Sequence, residues 1–306
     1  MVHVVESIRS ISSLCKASGS YNAFDEIQTI LRTTVREDVE QLKTLVPEMA
    51  TMGLLALTAL CAQRLLEISY IFAEIYVRDE YGEWNPRTSS PNIIDLGGDP
   101  GALSAFYWKY RAPQSKVTIV EANPATANAM VHNVRRRKLE NVEIVNAAIA
   151  GDDTGYTRLN LHRPPNGYHT QDFIADQLIN TPGTFSVQVP KIRLSNLIRK
   201  DEVIDLLKMD IEGTECDAIR ELSLSGKLRQ VQQIIMEFHQ DVRLFPKNSL
   251  PEILHHLETN GFEVTSAHIT IGKGLRRKVN IPLQQVPEIA TYSEKTFLTF
   301  SAERIR

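Results

Sequence analysis

The sequence has 306 residues, 42% hydrophobic and 23% charged, with a formal net charge of −3 and an isoelectric point near 6.3. That length supports a core large enough to hold a deep cleft without staples, and the absence of a basic excess argues against a nucleic-acid partner, whose phosphates need neutralising. Cys15, Cys61 and Cys216 are few, odd in number and far apart, so neither a disulfide framework nor a zinc site is expected and a cytoplasmic setting is.

The first residues, Met-Val-His-Val-Val-Glu, lack the basic and apolar regions of a secretory signal. Phe24, Ile27, Leu31, Val35, Val39, Leu42 and Val46 recur at steps of three and four, which predicts an amphipathic helix over 22–46 ending at Pro47. A more apolar helix is expected over Met52–Val77. Gln63, Arg64 and Glu67 interrupt it well before the roughly 20 residues a membrane span requires, so a buried helix, packed against another subunit, is the expectation. The turn-rich stretch 80–91 marks a boundary near residue 88. It divides a helical N-terminal segment (1–88, a lid or a homodimer surface) from a second domain (89–306).

Beyond that boundary, strand and helix alternate. Strands are expected at 93–96, 117–121, 142–147, 203–209, 231–238, 262–267 and 296–301. Helices are expected at about 102–111, from Pro124 to about Lys138, and at 249–259 before Asn260-Gly261. Residues 151–190 look less regular. Repeated strand–helix units imply an α/β fold whose parallel sheet is covered on both faces.

Ligands of such sheets bind outside the carboxyl ends of the strands. The first end reads Asp95-Leu96-Gly97-Gly98-Asp99-Pro100-Gly101. Gly97, Gly98 and Gly101 permit a sharp turn and close backbone approach, while Asp95 and Asp99 would repel a pyrophosphate and suit a ligand with a cationic end. Glu121, at the second strand end, is placed to accept hydrogen bonds from ribose hydroxyls. Asp210, Glu212 and Glu215 crowd acids after strand four, a grouping that calls for a nearby cation such as the ligand, a metal or Lys208. Glu215 reads as first-turn decoration of the next helix. Glu237 and His239 share one side of strand five. With Asp210 they form the candidate acid–base set and a candidate site for a magnesium- or manganese-like ion.

These pieces resemble the FkbM family of methyltransferases across residues 92–268. The match rests on Ile94–Gly101, Val120-Glu121-Ala122-Asn123-Pro124, Leu139-Glu140-Asn141-Val142, Leu207-Lys208-Met209-Asp210-Ile211-Glu212-Gly213-Thr214-Glu215 and Ile235-Met236-Glu237-Phe238-His239. The resemblance implies a class I methyltransferase fold: Rossmann-like, with a mainly parallel seven-stranded sheet whose last strand is antiparallel, here preceded by the helical segment. It further implies S-adenosylmethionine as donor and O-methylation of a small molecule or sugar hydroxyl. Asp95, Gly97, Gly98, Asp99, Gly101, Glu121, Ala122, Asn123, Ala147 and Asp210 are then the expected cofactor contacts, with Asp210, Glu237 or His239 as base. The sequence departs from the family in three places. Asp99 stands where Asn is common, Leu194-Ser195-Asn196 replaces a Leu-Asp-Asp stretch, and Asn146-Ala147-Ala148 carries no acid to meet adenine.

Two other readings share the fold: a nicotinamide-dependent oxidoreductase and a non-catalytic cofactor-binding subunit. Arg135–Lys138 reads as cations complementing a helix end. His255 and His256 are adjacent and face different ways. The loop Gly272–Lys278 reads as solvated, and His169, beside Tyr168, is a weaker acceptor-side candidate in the long insertion.

Overall fold

The structure, a computed structural model, describes residues 22–45, 64–65, 67–68, 70–77, 81, 84–98, 102–162, 171–174, 184–241, 245–271, 277–280 and 295–305. Five parallel strands form its centre: β1 (Asn92–Leu96), β2 (Lys116–Glu121), β3 (Val142–Asn146), β8 (Leu206–Met209) and β9 (Gln233–Asp241). They lie in the order β9-β8-β1-β2-β3. On the β9 side, β12 (Lys295–Arg304) pairs antiparallel and separates β9 from β10 (Phe262–Ile271). This is the expected seven-stranded sheet with its antiparallel last strand. An eighth strand, β11 (Arg277–Asn280), pairs antiparallel with β10 and overlaps the last two residues of the 272–278 stretch expected to be a solvated loop.

The central strands are apolar on both faces because both are covered. Ile94, Leu96, Leu207, Met209, Ile234 and Met236 pack towards α4 (Glu215–Leu224) and α5 (Leu250–Thr259). Their neighbours Ile93, Val117, Ile119, Leu206 and Ile235 pack the other way, against α2 (Leu103–Arg111) and α3 (Pro124–Arg136). Local chemistry sets the helix starts. Asn123 caps α3 ahead of Pro124 by accepting from the Ala125 amide at 3.0 Å, and Ser249 caps α5 ahead of Pro251.

Residues 148–192 are more regular than their composition suggests. β4 (Ala148–Ile149), β5 (Tyr156–His162), β6 (Gln171–Ile174) and β7 (Thr184–Ile192) form a second sheet in the order β4-β7-β5-β6. Its core is small: Ala148, Leu159, Leu161 and Val189. The Pro- and Gly-containing clusters at 164–167 and 181–183 lie outside the described residues.

The helical segment packs on the sheet-bearing part of the chain. α1 (Asn22–Leu45) lies along α3, with Thr33 Oγ1 3.5 Å from Asn133 Oδ1 and Gln41 Nε2 donating to Asn123 Oδ1 at 2.9 Å. The described part of the second helix ends in a π-helical turn, Ala73–Val77. Its Ile68 and Ile75 are buried in the same core as Ile93 and Met130. Trp84, in the turn-rich boundary, is also buried, its ring 5.5 Å from that of Trp108. Among the described residues, no helix is long and apolar enough to cross a membrane.

Candidate functional site

The turn after β1 is fixed from both sides. The Gly97 amide donates to the Val120 carbonyl at 2.9 Å, and its carbonyl accepts from Lys208 Nζ at 2.8 Å. Gly97 has φ +82°, and a Cβ there would lie 1.7 Å from the Asp210 carbonyl oxygen, so only glycine lets the chain pass over the end of β8. Lys208 itself is 1% exposed. Its ammonium sits 3.3 Å from Asp95 Oδ1 and 3.8 Å from Asp210 Oδ2. Asp95 is fully buried and also accepts from Trp108 Nε1 at 2.7 Å. Its carboxylate thus lies beneath the turn, held by Lys208 and Trp108, rather than on the cleft wall where a ligand contact requires it. Asp99 and Gly101 lie outside the described residues, as do Tyr168 and His169.

Gly97, Gly98, Glu121, Ala122, Ala147 and Asp210 line one open cleft across the strand ends. Glu121 is held in place there: its Oε1 accepts from the Asn123 amide at 2.7 Å. Asn146 Nδ2 ties the strand end by donating to the carbonyls of Glu121 at 2.8 Å and Ala122 at 3.1 Å. Asn123 is fully buried as the α3 cap and lies behind the cleft wall rather than on it. Arg64, Glu67 and Ile71 of the helical segment also line the cleft. Arg64 is buried against Asp38 of α1 and Glu67, donating to Asp38 Oδ1 at 2.7 Å. No local motif marks this contribution. Its one trace in the sequence is the pair of charges inside an otherwise apolar helix.

At the ends of β8 and β9 the acids gather around His239, which is 3% exposed. Its Nε2 lies 3.7 Å from Asp210 Oδ1, 3.6 Å from Glu212 Oε2 and 3.7 Å from Glu237 Oε1. The predicted trio therefore meets, joined by Glu212, whose φ of +49° and following Gly213 (φ +102°) turn the chain back towards the histidine. A Cβ on Gly213 would fall 2.3 Å from the Phe245 ring, so the turn also needs glycine for space. Glu215, read above as helix decoration, is fully buried and holds the cluster together. It pairs with His239 Nδ1 at 3.0 Å and accepts from the Gly213 amide at 3.1 Å and from Asn248 Nδ2 at 2.5 Å. Asn248 also donates to the His239 carbonyl at 2.7 Å and accepts from the Cys216 amide at 2.9 Å. Burial pulls the His239 pKa down, but the carboxylates of Glu212, Glu215 and Asp210 outweigh it and hold the value well above the ordinary histidine range.

His256 is placed apart from this site, its Nδ1 3.0 Å from Ser223 Oγ between α4 and α5. Arg135 and Arg136 end α3, where cations complement the helix dipole.

Several known proteins are similar to this chain. "Methyltransferase 1" of Beauveria bassiana (strain ARSEF 2860) is 26% identical over 171 residues, 51% of this chain and 68% of that protein. "Methyltransferase sdnD" of Sordaria araneosa is 25% identical over 227 residues, 65% and 84% of the two chains. Among solved structures, M. capricolum TrmK in complex with S-adenosyl-homocysteine superposes loosely, with a TM-score of 0.40 and 9% identity over 75% of this chain and 68% of that one. The model of the methyltransferase FkbM domain matches residues 95–264, from the buried Asp95 beneath the first turn to Val264 in β10. With more than half of its length in that match, the chain belongs to the FkbM family of methyltransferases.

Proposed function

We propose that the chain transfers the methyl group of S-adenosylmethionine to a hydroxyl oxygen on a small molecule or sugar-containing natural product, in the cytoplasm. The observation that carries the reading is that Gly97 and Gly98, Glu121, Ala147 and Asp210, from four strand ends, line a single cleft. This set fits the donor. The Gly97 turn leaves room that a side chain would fill, and Glu121 offers a fixed carboxylate to ribose hydroxyls. The backbone beside Ala147 is left to grip adenine, and Asp210 faces the cationic end. When bound, the donor supplies a methyl carbon already activated by its sulfonium. The protein's task is alignment of the acceptor oxygen, which can contribute about 7–11 kcal/mol of barrier lowering. A base that takes the hydroxyl proton adds about 10²–10⁴-fold, and Asp210, Glu237 and His239, gathered at this end of the sheet, are the candidates for that part.

Residues 1–88 are assigned the role of a lid on the donor half of the cleft rather than that of a dimer surface. The support is the presence of Arg64, Glu67 and Ile71 on its wall and the Gln41–Asn123 bond beside the ribose position.

Calorimetric titration with S-adenosylmethionine, S-adenosylhomocysteine and NAD tests the reading. The first two are expected to bind and NAD is not. Glu121→Gln is expected to weaken both by about 10- to 100-fold, the loss of hydrogen bonds to a charged acceptor. Selective NAD binding overturns the proposal. Donor binding with no transfer to any member of a broad hydroxyl panel favours a non-catalytic binding subunit.

A further inference from the structure

We propose that Asp210, Glu212 and His239 bind one divalent cation of the manganese(II) type at the acceptor side of the cleft, with Glu215 as the residue that orients the imidazole. The site deepens the methyltransferase reading, yet its test does not depend on the donor.

The first observation is the spacing. One ligand atom from each of the three residues lies within 4.8 Å of the others. An ion held at about 2.0–2.3 Å by each ligand sets neighbouring ligand atoms about 3 Å apart and opposite ones no more than about 4.6 Å. The distances from His239 Nε2 to Asp210 and Glu212, 3.7 and 3.6 Å, are longer than a charge-assisted N–H···O contact of about 2.7–2.9 Å. They fall inside the range of two ligands sharing one ion.

The second observation concerns the imidazole. His239 is a buried imidazole, 3% exposed, aimed into the cluster from a different strand. Its Nδ1 faces the fully buried Glu215 carboxylate at 3.0 Å, and that carboxylate is fixed in turn by the Asn248 side chain and the Gly213 amide. With the Nδ1 proton directed at Glu215, Nε2 is the ring atom that faces Asp210 and Glu212, and a cation bound there takes the place of the proton that the surrounding carboxylates otherwise hold on it. A carboxylate behind the histidine and a cation in front of it is the usual construction around a metal-bound imidazole. Glu212 is carried to the site by its left-handed backbone and the following glycine.

The donor set selects the class of ion. Two carboxylates and one imidazole with an open position suit a first-row divalent ion, for which manganese(II) serves as the probe. Asp210, Glu212 and Thr214 all line the cleft, so the ion would keep a coordination position open towards an acceptor oxygen and lower that oxygen's pKa.

The experiment uses the full chain, stripped with a chelator and desalted, and titrated with manganese(II) chloride in the absence of donor. Binding is followed by calorimetry and by loss of the free-ion electron paramagnetic resonance signal. One manganese per chain is expected. Asp210→Asn and Glu212→Gln are each expected to weaken binding at least 10-fold. Glu215→Gln is expected to weaken it by about 10- to 100-fold, the usual cost of removing such an orienting partner, and His256→Ala should leave it unchanged. Circular dichroism melting confirms that each variant is folded. Glu212→Gln, on a partly exposed turn, carries the test if a variant of buried Glu215 does not fold. No binding at millimolar manganese, or binding that Asp210→Asn and Glu212→Gln leave intact, overturns the site. A separate titration with S-adenosylhomocysteine reports the donor site, so failure of one proposal is distinguishable from failure of the other.

Discussion

Lys208→Met tests the physical account of the β1 turn. In the wild type, a 1%-exposed ammonium lies 3.3 Å from the fully buried Asp95 carboxylate and donates to the Gly97 carbonyl at 2.8 Å. At an effective dielectric of about 20 this ion pair is worth about 5 kcal/mol of Coulomb attraction, much of it cancelled by desolvation. Methionine keeps most of the side-chain volume but leaves Asp95 charged, buried and dependent on Trp108 Nε1 alone for its fixed hydrogen bond. Breaking one side of a buried pair costs about 3–5 kcal/mol. The expected outcome is that loss in urea denaturation, with a fall in melting temperature on the order of 10 °C. The double variant Asp95→Asn/Lys208→Met removes the stranded charge while keeping an acceptor for Trp108. It should recover at least about 2 kcal/mol of the single-variant loss, as residues in one ion-pair network couple. A Lys208→Met loss below about 1 kcal/mol, or a double variant as unstable as Lys208→Met, would refute the reasoning.

Three further outcomes are expected. Gly97→Ala should abolish S-adenosylhomocysteine binding in calorimetry, because the new Cβ meets the Asp210 carbonyl. Gly98→Ala should be milder, since its nearest obstacles are the movable Met130 Sδ and Cε, and equal effects would contradict this account. The hydrogen bond from Arg220 holds the Glu252 carboxyl down to about 2. A depressed carboxylate contributes stability above its unfolded value near 4.5 that is lost as pH falls towards 2. Because both side chains are 35% exposed, solvent screening limits the wild-type advantage over Glu252→Gln to about 0.5–1 kcal/mol at pH 6. It should shrink between pH 4.5 and 2 in urea titrations, whereas an advantage constant with pH would count against the pair. Burial pushes the Cys216 thiol up to about 11 and leaves the residue 1% exposed. Mass spectrometry after iodoacetamide treatment at pH 8 should find it unmodified in the native protein and modified after unfolding.

The features legible in the sequence were those set by local chemistry. The glycine turn after β1, Glu121 at the end of β2 and the Asn123 and Ser249 helix starts depend on a few adjacent residues. The α1 periodicity and the strand–helix alternation are equally local. Asp95 was misplaced because β1 is buried on both faces, so period-two alternation does not say which side chains reach a cleft. Glu215 and Asn248 were missed because their role exists only where α4, β9 and the approach to α5 meet. His239 and Glu215 are 24 residues apart, and Asn248 and Glu215 are 33 apart. The pairing of β5 with β7 likewise joins segments separated by two turn clusters and β6, in a sheet with only a few buried apolar residues to mark it. In the second helix, Arg64 and Glu67 counted only as interruptions of an apolar run, although Arg64 meets Asp38 from 26 residues away.

The position of β12 has a consequence for how the molecule assembles. Lys295–Arg304 pairs with β9 along one side and β10 along the other, while the Arg304 guanidinium donates to the carbonyls of Leu228, Val231 and Asn260. Until that strand is inserted, β9 and β10 each present an unpaired edge, and the two parts of the main sheet have no ladder between them. Such open edges invite pairing with another chain. A chain with residues 295–304 undocked, during synthesis or refolding, would therefore carry two open sheet edges at once, and their docking closes both in one step.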